Sequence, residues 1–250
     1  MKNKQSGELA VCGFEAVKAL ADKHGEKIER LFFNQDKARF FSETCKSLAS
    51  RRKIYRLVED SELEKLCKSV HHQGVVAMIA NPEIPALDRQ TVSSWEVSRE
   101  RVLVLDRVGN ANNLGAIVRS AAFFGISSLV ISREDDQAEL STSSWRVAQG
   151  GMEYVNIYSA GSAAALLEDT AGRFVRIGAD HRSSVDISAF SRLACANKGV
   201  LVVLGNEESG LSPRVKAACD HLVKIPGSGS IESLNVAQAA TLFLYEMVRP

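Results

Sequence analysis

No stretch of this sequence approaches the roughly 20 consecutive apolar residues that a bilayer-spanning helix needs, so a helical membrane protein is not expected. Nor does the opening MKNKQSGELAVCGFEAV carry the long apolar core of a secretory signal, since Gly7 and two Glu residues interrupt it. Cysteine is sparse: Cys12, Cys45, Cys67, Cys195 and Cys219 are odd in number, widely spaced and contain no CxxC pair. That pattern supports neither a disulfide framework nor a zinc site, and scattered thiols fit the reducing cytoplasm. The common nucleotide and hydrolase fingerprints are missing as well. There is no GxGxxG, which removes a nicotinamide-dependent oxidoreductase, and no GxSxG elbow. The stretch GNEESGLS at 205–212 lacks the lysine of a phosphate-binding loop.

What remains is an ordinary globular composition. Hydrophobic residues make up 45% of the 250 and charged residues 24%, which argues against disorder, collagen and a coiled-coil rod. The net charge of +1 hides a split. Residues 1–84 hold 15 Lys+Arg and 12 Asp+Glu, whereas residues 85–250 hold 16 and 18. A basic first part is compatible with an anionic partner but is also what a solvated surface looks like.

Two of the five prolines fall in NPEIPALDRQTVSSWEVS at 81–98, which has no clear period and reads as a linker. Before it, GFEAVKALADKHG, ARFFSETCKSLASR and SELEKLCKSV have helical spacing, and IERLFF, KIYRLV and VVAMIA read as strands. Ser61 is placed to cap the third helix, with Glu64 in the capping-box position. After it, RVLVLD, SLVIS, YVNIYS, FVRIG, VLVVLG and HLVKIP are strand candidates. They alternate with helix candidates LGAIVRSAAFFG, SSWRVAQG, SAAALLED and NVAQAATLFLYEMVR. The expected fold is α/β: a small α/β domain at 1–82, a linker at 83–98, and a second domain at 99–250 with a mostly parallel sheet. The last helix is apolar on nearly every side, so it must be buried in the core or against a second subunit.

Ligands of open parallel sheets bind beyond the carboxyl ends of the strands. Three strands run there into loops rich in Gly, Asn, Ser and Glu: RVGNANNLGAIVRS, NEESGLSP and GSGSIESLNV. One such loop is an ordinary turn; three together favour a site. NxxNLGAIVRS at 110–120, LGNEESGLS at 204–212 and IPGSGSIESLNVAQA at 225–239 resemble the three signature motifs of the SpoU (TrmH-like) RNA ribose methyltransferases of the SPOUT superfamily. VCGFEAVKAL at 11–20 and HHQGVVAMI at 71–79 are similar to the opening and closing segments of the RNA-binding domain that precedes the catalytic domain in many members.

The resemblance implies a knotted catalytic domain, a homodimer with the active site completed across the interface, S-adenosylmethionine as cofactor, no metal, and methylation of ribose 2′-hydroxyls in transfer or ribosomal RNA. It places Arg119, Asn113, Glu207, Ser233 and Asn235 in catalysis. Leu204, Gly205, Asn206, Ile225, Pro226, Leu234 and Asn235 fall at the cofactor. The plain alternatives are a surface arginine, helix caps at Asn113, Ser233 or Asn235, and a polar turn at Glu207 and Glu208. Arg51, Arg52 and Lys53 form a short basic cluster suited to RNA phosphates, or simply a solvated helix end. His71 and His72, adjacent and without a third ligand, read as polar residues ending a helix. Trp95 and Trp145 read as packing residues. Two departures stand out: Asn110-Ala111 replaces the family's frequent Asp-Pro, and Gly227 replaces a Met. They keep open a second reading, an RNA-binding protein that retains the fold without catalysis.

Overall fold

The computed structural model describes residues 7–133, 137–194 and 197–249; the first six residues and Cys195 lie outside them. In chain order the elements are β1 Glu8–Cys12, α1 Phe14–His24, β2 Ile28–Phe33, α2 Ser42–Ser50, β3 Ile54–Leu57, α3 Asp60–Cys67, β4 Val75–Ala80 and α4 Arg89–Ser98. Then come β5 Arg101–Leu105, α5 Ala111–Phe123, β6 Ser128–Ser132, α6 Thr142–Ala148, β7 Asn156–Ala160 and α7 Ala163–Asp169. The chain ends with β8 Phe174–Ala179, α8 Phe190–Ala194, β9 Gly199–Leu204, α9 Pro213–Ala218, β10 His221–Val223 and α10 Val236–Val248.

These elements form two units, one of residues 7–83 with 140–154, the other of residues 84–139 with 155–249. The first holds a four-stranded sheet in the order β1-β4-β2-β3, antiparallel except for the β2–β3 pair. Phe32, Val58, Leu63 and Val76 form part of one of its cores. The excursion 140–154 closes this unit. Glu153, with its side chain almost fully buried, accepts from Trp145 Nε1 at 3.3 Å and meets His24 Nδ1 at 2.6 Å. Gly150, at φ +91, lies so close to α1 that a Cβ there would sit 2.7 Å from that of Ala19. Only glycine combines that backbone angle with that approach.

The second unit is built on a six-stranded sheet, order β10-β8-β9-β5-β6-β7, every neighbouring pair parallel. Parallel strands covered on both faces read as continuous apolar runs, which is why GVLVVL and SLVIS are buried at every position.

Three expectations require correction. The stretch 83–98 is not all linker: Asp88 caps α4 by accepting from Thr91 N at 2.7 Å, and Val92 and Trp95 enter the core of the second unit. Ser61 does not cap α3, because the helix already starts at Asp60 with Glu59 in the cap position and no side-chain cap bond. His72 does not end a helix. It is buried in the turn before β4, where Nδ1 accepts from Gly74 N at 3.0 Å.

Candidate active site

All the loops of interest leave the carboxyl ends of β5, β8, β9 and β10 in the second unit. At the end of β5 stands Asp106, fully buried, which accepts from Ser212 N at 3.3 Å and so ties the first loop to the second. Arg107 follows in the left-handed region, φ +60, a conformation that costs a non-glycine residue about 1 kcal/mol or more. It is held there on both sides. Its carbonyl accepts from Asn206 Nδ2 at 2.9 Å, and its Nη2 donates to the Gly210 carbonyl at 3.4 Å.

The chain then enters α5. Asn110 is the N-cap, its Oδ1 accepting from Asn112 N at 2.8 Å and Asn113 N at 3.4 Å. Because Asn110 satisfies the helix start, the Asn113 side chain is released from capping. Its Nδ2 donates to Glu207 Oε1 at 2.7 Å, and its Oδ1 accepts from Asn235 Nδ2 at 3.2 Å. Glu207 Oε2 receives Gly109 N at 3.4 Å. Asn235 caps α10 through Ala237 N at 2.9 Å with the oxygen of the same amide. One residue from each motif loop thus joins a single chain of hydrogen bonds, Asn235 to Asn113 to Glu207.

The second loop is folded tightly on itself. Asn206 Oδ1 accepts from Glu208 N at 2.9 Å and Ser209 N at 3.0 Å, and Gly210 N donates to the Asn206 carbonyl at 3.0 Å. Gly205 sits under that turn. A Cβ on it would lie 2.5 Å from both Gly210 O and Leu211 N, so no side chain fits.

Between these loops lies a cleft of ≈ 390 Å³. Leu204, Val223, Ile225, Leu234, Val236 and Phe243 give it apolar walls, and Gly205, Asn206, Glu207 and Ser233 also line it. A fourth loop, after β8, contributes Asp180, His181 and Arg182. The sequence reading missed it, although FVRIGADHRSS is a strand running into polar residues like the other three. Burial alone would raise the Asp180 carboxyl. Lys216 Nζ at 2.7 Å, the Arg182 N–H and nearby His181 outweigh it and hold the acid below its ordinary range. His181 Nε2 meets Glu232 Oε1 at 3.2 Å, which fastens the third loop to the fourth.

The expected site residues are therefore distributed in three groups. Asn113, Glu207 and Asn235 are brought together. Leu204, Gly205, Asn206, Ile225, Ser233 and Leu234 line the cleft. Pro226 is exposed at its rim and Arg119 is exposed on α5, neither of them lining it. In the first unit, Arg51 donates to the Gly25, Glu26 and Ser47 carbonyls, and Lys53 pairs with Glu29. Arg52, at φ +57, is exposed.

Both departures from the expected motifs are geometrically mild. Asn110-Ala111 places an amide cap before the first helical residue, the positions that Asp and Pro favour for the same reasons. Gly227 is exposed, and a Cβ there would meet nothing within 4 Å. Among the described residues no cluster of three or more His, Cys, Asp or Glu is arranged to hold a metal ion.

Comparison with known proteins places this arrangement. The model of the SpoU rRNA Methylase family matches residues 100–245, and a model described as RNA 2′-O ribose methyltransferase substrate binding matches residues 10–85. The 23S rRNA (guanosine-2′-O-)-methyltransferase RlmB of Acinetobacter baylyi is 36% identical over 191 residues, 75% of each chain. An uncharacterized tRNA/rRNA methyltransferase, YfiF of Escherichia coli O157:H7, is 31% identical over 254 residues, spanning 100% of this chain and 70% of its own length. Among solved structures, the SpoU methyltransferase AviRb from Streptomyces viridochromogenes, in complex with AdoMet, aligns with a TM-score of 0.75 and 25% identity, over 99% of this chain and 93% of that one. With both family models matched in their expected order and the three motif loops gathered at one end of the parallel sheet, this chain belongs to the SpoU rRNA methylase family.

Proposed function

We propose that this chain transfers the methyl group of S-adenosylmethionine to a ribose 2′-hydroxyl of transfer or ribosomal RNA. The observation that carries the reading is the Asn235–Asn113–Glu207 array beside an apolar-walled cleft. The cleft suits the cofactor in size, since small-molecule sites run from about 300 to 1,000 Å³. Its chemistry fits too. Aliphatic walls from Leu204, Ile225 and Leu234 can sandwich a flat base, and the side-chain-free Gly205 leaves main-chain groups approachable. Leu204, Gly205, Asn206, Ile225, Pro226, Leu234 and Asn235 are the residues assigned to hold it.

The cofactor supplies an electrophilic methyl group; the protein must supply alignment and a field that favours an alkoxide. Glu207, held by Asn113 and the Gly109 N–H, is a fixed acid that can orient an arginine or a ribose. Arg119 is assigned to the developing alkoxide and the neighbouring phosphate, as a charge stabiliser. A guanidinium has no lone pair to accept with, so a role in proton abstraction is chemically awkward. Ser233, in the third loop, lines the cleft and is assigned to the substrate side of it.

Arg119 shares the exposed side of α5 with Phe123, 82% exposed, while α10 exposes Leu242 and Tyr245. We assign this surface to a homodimer in which Arg119 completes the partner's cleft, because it does not line its own. The knotted passage of the C-terminal segment and a cytoplasmic location complete the reading. Among the described residues no helix is long and apolar enough to cross a membrane. The first unit, with Arg51, Arg52 and Lys53, is assigned to RNA, Arg52 having the freest side chain of the three.

The test uses the purified chain, methyl-labelled S-adenosylmethionine and total transfer or ribosomal RNA. A 2′-O-methyl group blocks alkaline cleavage of the adjoining phosphodiester, so label should survive in alkali-stable dinucleotides. Label recovered in methylated bases of mononucleotides would refute the ribose mechanism.

A further inference from the structure

At the opposite end of the second sheet from the cofactor cleft, a separate concavity of ≈ 280 Å³ opens between the starts of β5 and β9, helix α8 and the last turn of α10. Four cations line it: Arg99, Arg101, Lys198 and Arg249. Among the described residues, only Arg249 of the four has a side-chain partner, Glu246 Oε1 at 3.1 Å. Three cations thus face one hollow with their donors unused.

The floor of the hollow is more specific than its rim. Glu246 is 10% exposed, and its second carboxylate oxygen, Oε2, is buried with no hydrogen-bond partner among the described residues. The Ser191 hydroxyl, lining the same hollow, is also buried and has no partner among the described residues. Buried polar atoms are nearly always satisfied, so two orphans in one pocket are a statement about what belongs there. A carboxylate can only accept. The missing ligand must therefore bring a hydrogen-bond donor to the floor and negative charge to the rim.

A DNA backbone offers phosphodiester oxygens that only accept, and it leaves Glu246 Oε2 unsatisfied. An RNA backbone does not: each phosphodiester lies next to a 2′-hydroxyl, which donates as well as accepts and is the group that distinguishes RNA from DNA. We propose that this hollow is a second RNA site on the catalytic unit. Arg99, Arg101 and Lys198 hold a phosphodiester there, and the neighbouring 2′-hydroxyl donates to Glu246 Oε2 within reach of Ser191 Oγ. The inference rests on the RNA methyltransferase reading and extends it. Along β9 the hollow's Val200 and the cleft's Leu204 stand four residues apart, about 13 Å at 3.3 Å each, with the two openings at opposite ends of the sheet. The hollow therefore grips the substrate well away from the reacting ribose.

The experiment uses the full chain with a fluorescein-labelled mixed-sequence single-stranded RNA and the DNA of the same sequence, titrated over a range of KCl. The double variant Arg101→Ala, Lys198→Ala changes exposed residues only. It should bind the RNA about tenfold or more weakly at low salt, with the slope of log K against log salt shallower by about 0.7 for each phosphate that is no longer neutralised. Ser191→Ala should narrow the preference for RNA over DNA and leave DNA affinity unchanged. Cofactor binding by calorimetry should match the parent in both, which verifies folding at the distant cleft. Unchanged RNA affinity and slope in the double variant would overturn the site while leaving methylation by the parent, and hence the enzymatic reading, in place. An intact RNA preference in Ser191→Ala would overturn the ribose assignment. A parent that neither binds nor methylates RNA would remove both readings together.

Discussion

Replacing Gly205 by alanine adds one methyl group where the second motif loop turns back over β9. In the structure a Cβ at that position meets Gly210 O and Leu211 N at 2.5 Å, and the Gly210 carbonyl carbon as well. Ordinary contacts begin near 3.4 Å, so the turn must retreat by close to 1 Å. It cannot do so freely, because Asn206 pins it through three hydrogen bonds that its Oδ1 accepts and one that its Nδ2 donates to the Arg107 carbonyl. Overpacking of this kind costs about 1–3 kcal/mol. If the displaced loop must return before the cofactor can bind, affinity falls by roughly 5- to 150-fold, at 1.4 kcal/mol per tenfold. If the strain stays in the folded state, Tm falls by about 2–12 °C for a chain of this size. Calorimetry with S-adenosylmethionine and a thermal melt would divide the two. Gly227→Ala is the matched control, since its Cβ would meet nothing within 4 Å, and it should behave as the parent in both assays. A Gly205→Ala protein with parental affinity and parental Tm would show that the second loop neither builds the cofactor pocket nor packs as described.

Arg119→Ala should lower methyl transfer by roughly a hundred- to a thousandfold with cofactor affinity unchanged, because the residue is assigned to the developing alkoxide and not to the cofactor. Arg119→Lys should rescue poorly, for want of the planar fork; equal loss of cofactor binding in single-turnover and calorimetric measurements would sink that assignment. The parent should sediment as a dimer at micromolar concentration, and Tyr245→Glu should convert it to a monomer with little activity, whereas a fully active monomeric parent would rule the dimer out. In acid, one interaction at stake is the Arg176 guanidinium hydrogen-bonded to Asp220. It holds that carboxyl below its ordinary 3.8 despite partial burial, so the bond stabilises the fold above the unfolded value and is lost as pH falls through the folded one. Asp220→Asn should therefore lower Tm at pH 7, with the gap to the parent closing below about pH 4; a gap independent of pH would contradict this.

The second sheet was legible because most of its strands are β-branched or leucine-rich runs ending at a polar loop, and all six appear where the sequence pattern puts them. The motif loops were equally visible, and the array that joins Asn113 to Glu207 and Asn235 follows their convergence. What local pattern could not reveal was partnership. In α4 only Val92 and Trp95 are buried, and one stripe of two residues among Ser, Thr and Gln does not stand out as a helix. ELAVC, which forms β1, is too short to separate from the helix behind it. Arg51 read as a phosphate ligand because its carbonyl partners, Gly25 and Glu26, lie some 25 residues away. The helix in SSWRVAQG was found, but not the unit in which it packs, since that depends on Glu153 meeting His24 across 129 positions.

The same long-range closure governs how the chain is made. The first unit is not finished when its first 83 residues leave the ribosome, because Trp145, Gly150 and Glu153 are still to come. At about 5–20 residues per second, the 71 residues from 84 to 154 take roughly 4–14 s. During that interval the four-stranded sheet must wait with the seat for its closing segment exposed. Strands β5 and β6 of the other sheet emerge meanwhile, and they stay without β8 and β9 for longer still. Neither half can be completed before the other has been started, so the nascent chain matures as an interleaved whole.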